Sequence, residues 1–131
     1  MPITLVVKDE KPGTGKTAAR PLVLASRKIT LRDLIRERIY QEAQRYNENE
    51  TIYFNGLVEP SDVERTLNGY KMRIRRQVDW QEQFERALEA FGRNGFFVLV
   101  GDKQVESLDE EIEVNSSIEV TFVKLAPLVG G

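Results

Sequence analysis

With 131 residues, 40% of them hydrophobic and 31% charged, the chain has the length of one globular domain and can enclose a core without covalent staples. A formal charge of −2 excludes a strong overall field toward nucleic acid or an acidic membrane, and the absence of cysteine excludes a disulfide framework. Histidine is also absent, which removes the commonest general base and the commonest metal ligand, so no cofactor or metal is expected and the chain reads as a non-enzyme.

In chain order, Ile3-Thr4-Leu5-Val6-Val7 is apolar and β-branched and predicts a first strand. The turn-rich Lys11-Pro12-Gly13-Thr14-Gly15-Lys16 joins it to a second strand at Pro21-Leu22-Val23-Leu24-Ala25. Thr30 is placed to cap a helix, with Asp33 in its first turn. Leu31, Leu34, Ile35, Ile39, Ala43 and Tyr46 recur at helical spacing; Arg32, Arg36, Glu37, Gln41 and Glu42 fill the solvent side. Asn47-Glu48-Asn49-Glu50 ends this helix.

Ile52-Tyr53-Phe54 suggests a short strand, and Ser61-x-x-Glu64 after Pro60 has the spacing of a capping box opening a short helix. Lys71 to Arg76 alternates basic and apolar residues, as a solvated edge strand does. From Asp79 a second helix carries Trp80, Phe84, Ala87, Leu88 and Phe91 on one face, expected to pack inward, and stops at Arg93-Asn94-Gly95. Phe96-Phe97-Val98-Leu99-Val100 suits a central strand, Gly101-Asp102-Lys103 a turn, and Gln104-Val105 a brief pairing. Leu108 and Ile112 anchor an acidic loop, and Ile118 to Val123 alternates as the final strand. Lys124-Leu125-Ala126-Pro127-Leu128-Val129-Gly130-Gly131 then leaves the sheet, because Pro127 lacks an N–H to pair. The expected class is α+β, a helix across one face of a mixed sheet.

Three local patterns carry little chemistry. Gly13-Thr14-Gly15-Lys16-Thr17 lacks the first glycine of a phosphate-binding loop, since Glu10 stands there, and Pro21 follows too soon for the helix that loop needs. Arg65, Lys71, Arg73, Arg75 and Arg76 around Tyr70 suit nucleic acid or an acidic partner surface, but a solvated face is the simpler reading. Glu106, Asp109, Glu110, Glu111 and Glu113 fit no calcium-loop spacing.

The two ends of the chain resemble the ubiquitin-like β-grasp proteins, among them ubiquitin and the sulfur carriers of molybdopterin and thiamine synthesis, and also the ubiquitin-like proteins of bacterial conjugation systems. The likeness rests on Ile3 to Val7, Leu22 to Ala25 and Ile29-Thr30-Leu31-Arg32-Asp33-Leu34-Ile35 at the start. At the end it rests on Phe96 to Val100, Leu108-Asp109-Glu110-Glu111-Ile112 and Ile118 through Gly131. It implies one β-grasp domain over 1–124, interrupted at about 48–95 by an inserted helical segment, and a flexible tail over 125–131.

The resemblance further implies a protein modifier. Its Gly131 carboxylate would be adenylated by a ubiquitin-activating-type enzyme, which uses the ATP, and conjugated to amines of protein targets. Leu125, Pro127, Leu128, Val129, Gly130 and Gly131 would form the tail this enzyme binds, and Gly131 the point of covalent attachment. A conjugating enzyme, a deconjugating protease and self-association through the insertion complete the implied partners; nucleic acid and membranes are not among them. A sulfur carrier with a C-terminal thiocarboxylate, or a non-conjugated assembly module, are the alternatives. Apart from any family, glycine leaves a terminal carbonyl open to attack, and an extended tail from Lys124 reaches about 20–25 Å at ~3.3–3.6 Å per residue. No signal-peptide pattern opens the chain and no run approaches the ~20 apolar residues of a membrane span, so the expected location is cytoplasmic.

Overall fold

A computed structural model describes residues 2–11, 16–49, 53–66, 69–73 and 76–125. It is α+β, with two helices and a five-stranded mixed sheet among the described residues. The first two strands, β1 (Ile3–Lys11) and β2 (Lys16–Leu24), pair antiparallel from Ile3↔Leu24 to Lys11↔Lys16. Both run further than their apolar cores suggest. The inward alternation Leu5, Val7, Asp9 continues through a charged residue, because β1 is paired on both sides and the ladders carry the backbone onward. Residues 12–15 lie outside the described residues. Lys16 and Thr17 belong to β2, so no helix follows them and the phosphate-loop pattern has no structural context.

A short strand β3 (Lys28–Thr30) leads into helix α1 (Leu31–Glu48). Thr30 caps α1 as expected, its Oγ1 accepting from the Asp33 N–H at 3.2 Å. The Leu31 and Arg32 N–H groups donate to the carbonyls of Glu110 and Leu108 at 3.0 and 2.9 Å, so the first turn is satisfied from a distant segment. That segment is partly a strand, β9 (Glu111–Glu113), which pairs with β3.

The stretch expected as a helical insertion at about 48–95 is not all helical. It contains a three-stranded antiparallel sheet of β4 (Tyr53–Phe54), β5 (Val63–Thr66) and β6 (Gly69–Met72), followed by helix α2 (Trp80–Gly92). The Ser61-x-x-Glu64 spacing therefore opens no helix. Glu64 pairs with Lys71 across the ladder, and tertiary pairing overrides a local capping signal. Of the basic stretch, Lys71 and Met72 belong to β6, which lies between β4 and β5 and is no edge, and residues 74 and 75 lie outside the described residues. Ala43, Tyr46, Phe54, Met72 and Val78 form a second small core that seats this sheet on the end of α1. Asn47 fastens it by bonding both the N–H and the C=O of Val78, at 2.7 and 3.1 Å.

Asp79 caps α2 and accepts from the Gln81 N–H at 3.0 Å. Trp80, Phe84 and Phe91 pack against the main core but stay partly exposed, as does Leu88; the fully buried positions are Gln83 and Ala87. Trp80 meets Tyr40 of α1 edge-on, with ring centroids 5.5 Å apart. Beyond α2 the left-handed residue is Asn94 (φ 60°), not Gly95.

The last strands are β7 (Phe96–Val100), β8 (Lys103–Val105) and β10 (Val120–Lys124). The sheet order is β2-β1-β10-β7-β8; β1 and β10 are parallel, and the other pairs are antiparallel. Leu5, Val7, Val98, Val120 and Phe122 meet Leu31, Leu34, Ile35 and Ile39 of α1 in the main core. Along the β2 edge, Gln41 bonds both the Val23 N–H (3.2 Å) and its C=O (2.7 Å), and Arg45 bonds the Pro21 carbonyl at 2.8 Å. An edge strand left open invites pairing with another chain, and these side chains close part of it. No helix among the described residues is long and apolar enough to cross a membrane.

Candidate functional site

The candidate site is the end of β10, where the chain passes into its C-terminal tail. Leu125 is the one tail residue within the described set. It is 38% exposed, and its N–H donates to the Gly95 carbonyl at 3.0 Å, one step past the β7 ladder. Pro127, Leu128, Val129, Gly130 and Gly131 lie outside the described residues. The root of the tail is thus paired through β10 to β1 on one side and β7 on the other.

Beneath this root lies a buried ionic network that the sequence reading did not assemble. Arg38 of α1 is 2% exposed and donates through both terminal nitrogens to the Asp9 carboxylate, one bond at 2.7 Å, and through Nε to Glu42 at 3.3 Å. Its guanidinium lies 4.5 Å from the centroid of the Phe122 ring. Arg20 of β2 stands 3.6 Å from both Asp9 and Glu42. Glu42, read from sequence as solvent-facing, is 5% exposed and accepts from the Leu57 N–H at 3.0 Å. Lys124 donates from Nζ to the Gly56 carbonyl at 2.8 Å. Sequence carried a trace of this. Position 38 follows Leu34 by four and Ile35 by three, inside the apolar stripe, and Asp9 continues the inward set Leu5, Val7.

Burial alone would raise the Asp9 pKa, but the hydrogen bonds and charge of Arg38, aided by Arg20 and Lys124, hold it below its ordinary value. Burial would likewise lower the Arg38 pKa, and Glu42 and Asp9 raise it instead. Lys124 goes the other way. Burial pushes its ammonium down to about 8, Arg38 and Lys11 add to this, and Asp9 and Glu42 oppose it. Two carboxylates are already matched by two guanidiniums, so Lys124 is the surplus cation of the group.

The sign of the resulting pH dependence follows. The Lys124 pKa is lowered on folding, so between pH 8 and its ordinary 10.5 the unfolded chain holds more protons. Stability contributed here rises with pH across that window. Relative to Lys124→Met, the wild-type protein is expected to gain at most about 3 kcal/mol between pH 7.5 and 10.5, read by urea unfolding at each pH. Parallel pH profiles for the two proteins would contradict the assignment.

Asn55-Gly56-Leu57-Val58 is laid across this network as a strap. Arg20 reaches the Asn55 carbonyl at 3.5 Å, and Gln83 of α2 reaches that of Val58 at 3.2 Å. A Cβ on Gly56 would overlap the buried Phe54 ring and stand 2.9 Å from Glu42 Oε1. Gly56→Ala is expected to cost about 1–3 kcal/mol by overpacking, seen as a lower thermal midpoint. An unchanged midpoint would mean the strap does not seat this closely.

The two buried carboxylates converge on the Arg38 guanidinium, and the cleft beside them is lined by Val7, Arg20, Pro21, Arg38, Glu42 and Arg45 among others. In the acidic stretch, Asp109 accepts from Arg32 at 3.1 Å and Glu110 from Lys103 at 3.0 Å. In the basic stretch, Arg73 pairs with Asp62 at 3.2 Å and Arg76 bonds the Ser61 carbonyl; Arg75 lies outside the described residues. Comparison of the chain with protein-family models, with curated proteins and with solved structures finds no match.

Proposed function

We propose that this chain is a ubiquitin-like protein modifier on a β-grasp fold, reacting through the carboxylate of Gly131. The observation that carries this reading is the position of β10. The strand that leads into the Gly-Gly tail is an interior strand, parallel to β1 and antiparallel to β7, so the tail departs from a rigid point. A mixed sheet whose first and last strands run parallel, with a helix across one face, is compatible with a β-grasp.

In this reading the Gly131 carboxylate attacks the α-phosphorus of ATP on the activating enzyme and pyrophosphate leaves. An enzyme thiol then displaces AMP to form a thioester. A target amine displaces the thiol and leaves an amide. The chemistry belongs to the partners, and this chain supplies a carbonyl flanked by glycines, open to each attack. The reaction would take place in the cytoplasm, where ATP and the activating enzyme are available.

The sequence supplies the test. Lys124 is the last basic residue, so trypsin digestion of a denatured conjugate leaves Leu125–Gly131 attached to the target amine. The chain is incubated with ATP, an adenylating enzyme and a conjugating enzyme, and digests are searched for lysines bearing this remnant. Remnant-bearing lysines are the expected result. Replacement of one terminal oxygen by sulfur, with no remnant, would assign a sulfur carrier; neither product would leave an assembly module.

A further inference from the structure

The buried network does more than hold charges apart from water, because one of its members is the last residue of the strand that feeds the tail. The Lys124 Nζ donates to the Gly56 carbonyl, 68 residues away in sequence. The strap carrying that carbonyl is tied on both sides of it, before it by the Asn55 carbonyl accepting from Arg20, and after it by the Leu57 N–H donating to Glu42 and the Val58 carbonyl accepting from Gln83. Gly56 lets the strap lie against the Phe54 ring with no room for a side chain.

For stability alone, a surplus cation is a poor choice at this position. Asp9 and Glu42 already have Arg38 and Arg20, and partly burying a further ammonium costs free energy that an apolar side chain would not. What the lysine supplies is a long donor that reaches across from the strand end to the strap. We propose that Lys124 is a positioning residue for the tail: by bonding the Gly56 carbonyl it clamps the inserted strap to the root of the tail and fixes where the chain leaves the body. The proposal rests on the tail being the reacting end, and it gives the inserted segment a part in presenting that end. The clamp couples two regions. A partner that draws Lys124 outward loosens the strap, and a partner that lifts the strap frees the root at Leu125.

The clamp is tested on the free full-length protein, independently of any conjugation. Amide exchange is followed by NMR for wild type and Lys124→Met, which keeps an unbranched stem and removes the donor. Exchange at the Leu57 and Leu125 N–H groups is expected to quicken about five- to tenfold, the scale of one lost hydrogen bond. Amides of Leu5 and Val7 in β1 and of Ile35 in α1 should be unchanged. Wild-type protein supplies a second reading that needs no variant. The Gly56 carbonyl carbon shift should follow the Lys124 side-chain nitrogen through one transition near pH 8; the charged groups around that ammonium are Asp9 and Lys11 from β1, Arg20 from β2 and Arg38 and Glu42 from α1. Unchanged exchange at both Leu57 and Leu125, or a Gly56 shift indifferent to the Lys124 titration, would overturn the clamp. Failure of wild type to form any Gly131 adduct would instead remove the modifier reading, and the exchange and shift data would still decide the clamp.

Discussion

Replacing Arg38 with methionine is expected to destabilise the protein by about 3–5 kcal/mol, measured as a lower urea midpoint. The substitution keeps most of the side-chain length but removes the cation that bonds Asp9 and Glu42 at once. Both carboxylates would stay buried with only Arg20, at 3.6 Å from each, and the Lys124 ammonium nearby. Net stabilities of domains run to about 5–15 kcal/mol, so this one change takes a large share and can unfold the chain at 37 °C. The loss should also depend on acid. In wild type the lowered Asp9 pKa gives stability that is present above its ordinary 3.8 and lost as pH falls through the folded value. In the variant that acid transition should begin at higher pH, because the group that holds the carboxyl down is gone. Replacing Asp9, Arg38 and Glu42 together by apolar residues should recover part of the loss, since no buried charge is then left unmatched. The recovery cannot be complete, because the Leu57 N–H loses its acceptor. A loss below about 1 kcal/mol for Arg38→Met would mean that water replaces the guanidinium and that the network is not buried in solution.

Deleting Gly130-Gly131 is expected to abolish the lysine adduct entirely while changing stability by less than about 0.5 kcal/mol. The separation of the two effects comes from where the core ends. Among the described residues the last buried apolar side chain is Val123, and Leu125 is already exposed. Gly131→Val should block the adduct as well, by placing a branched side chain beside the carboxylate that must first reach ATP and the carbonyl that a thiol and then an amine must attack. Intact-mass measurement reads the adduct and differential scanning calorimetry reads stability, on the same samples. An adduct that persists on the truncated chain would move the attachment point elsewhere and favour an assembly role. A large fall in thermal midpoint on truncation would show that the tail packs on the body and is not free to react.

The sequence alone was informative wherever the controlling interaction is local. Thr30 and Asp79 cap the two helices because a side chain and an N–H two or three residues on meet without reference to the rest of the fold. The apolar alternation in Leu5, Val7 and in Val120, Phe122 marks strands because it reflects the two faces of a pleat. The terminal Gly130-Gly131 is likewise a property of the chain itself. Local signals failed where pairing at a distance outweighed them. Glu64 sits in a strand and not in a helix, because β6 returns to pair with it. Charges at inward positions were visible at Asp9 and Arg38, but their partners were not. Asp9 and Arg38 are 29 residues apart and Lys124 and Gly56 are 68 apart, so each contact depends on strand register, helix placement and the path of the Asn55–Val58 strap together. Only the folded chain fixes all three at once, and with them which charge meets which and what holds the strand from which the tail leaves.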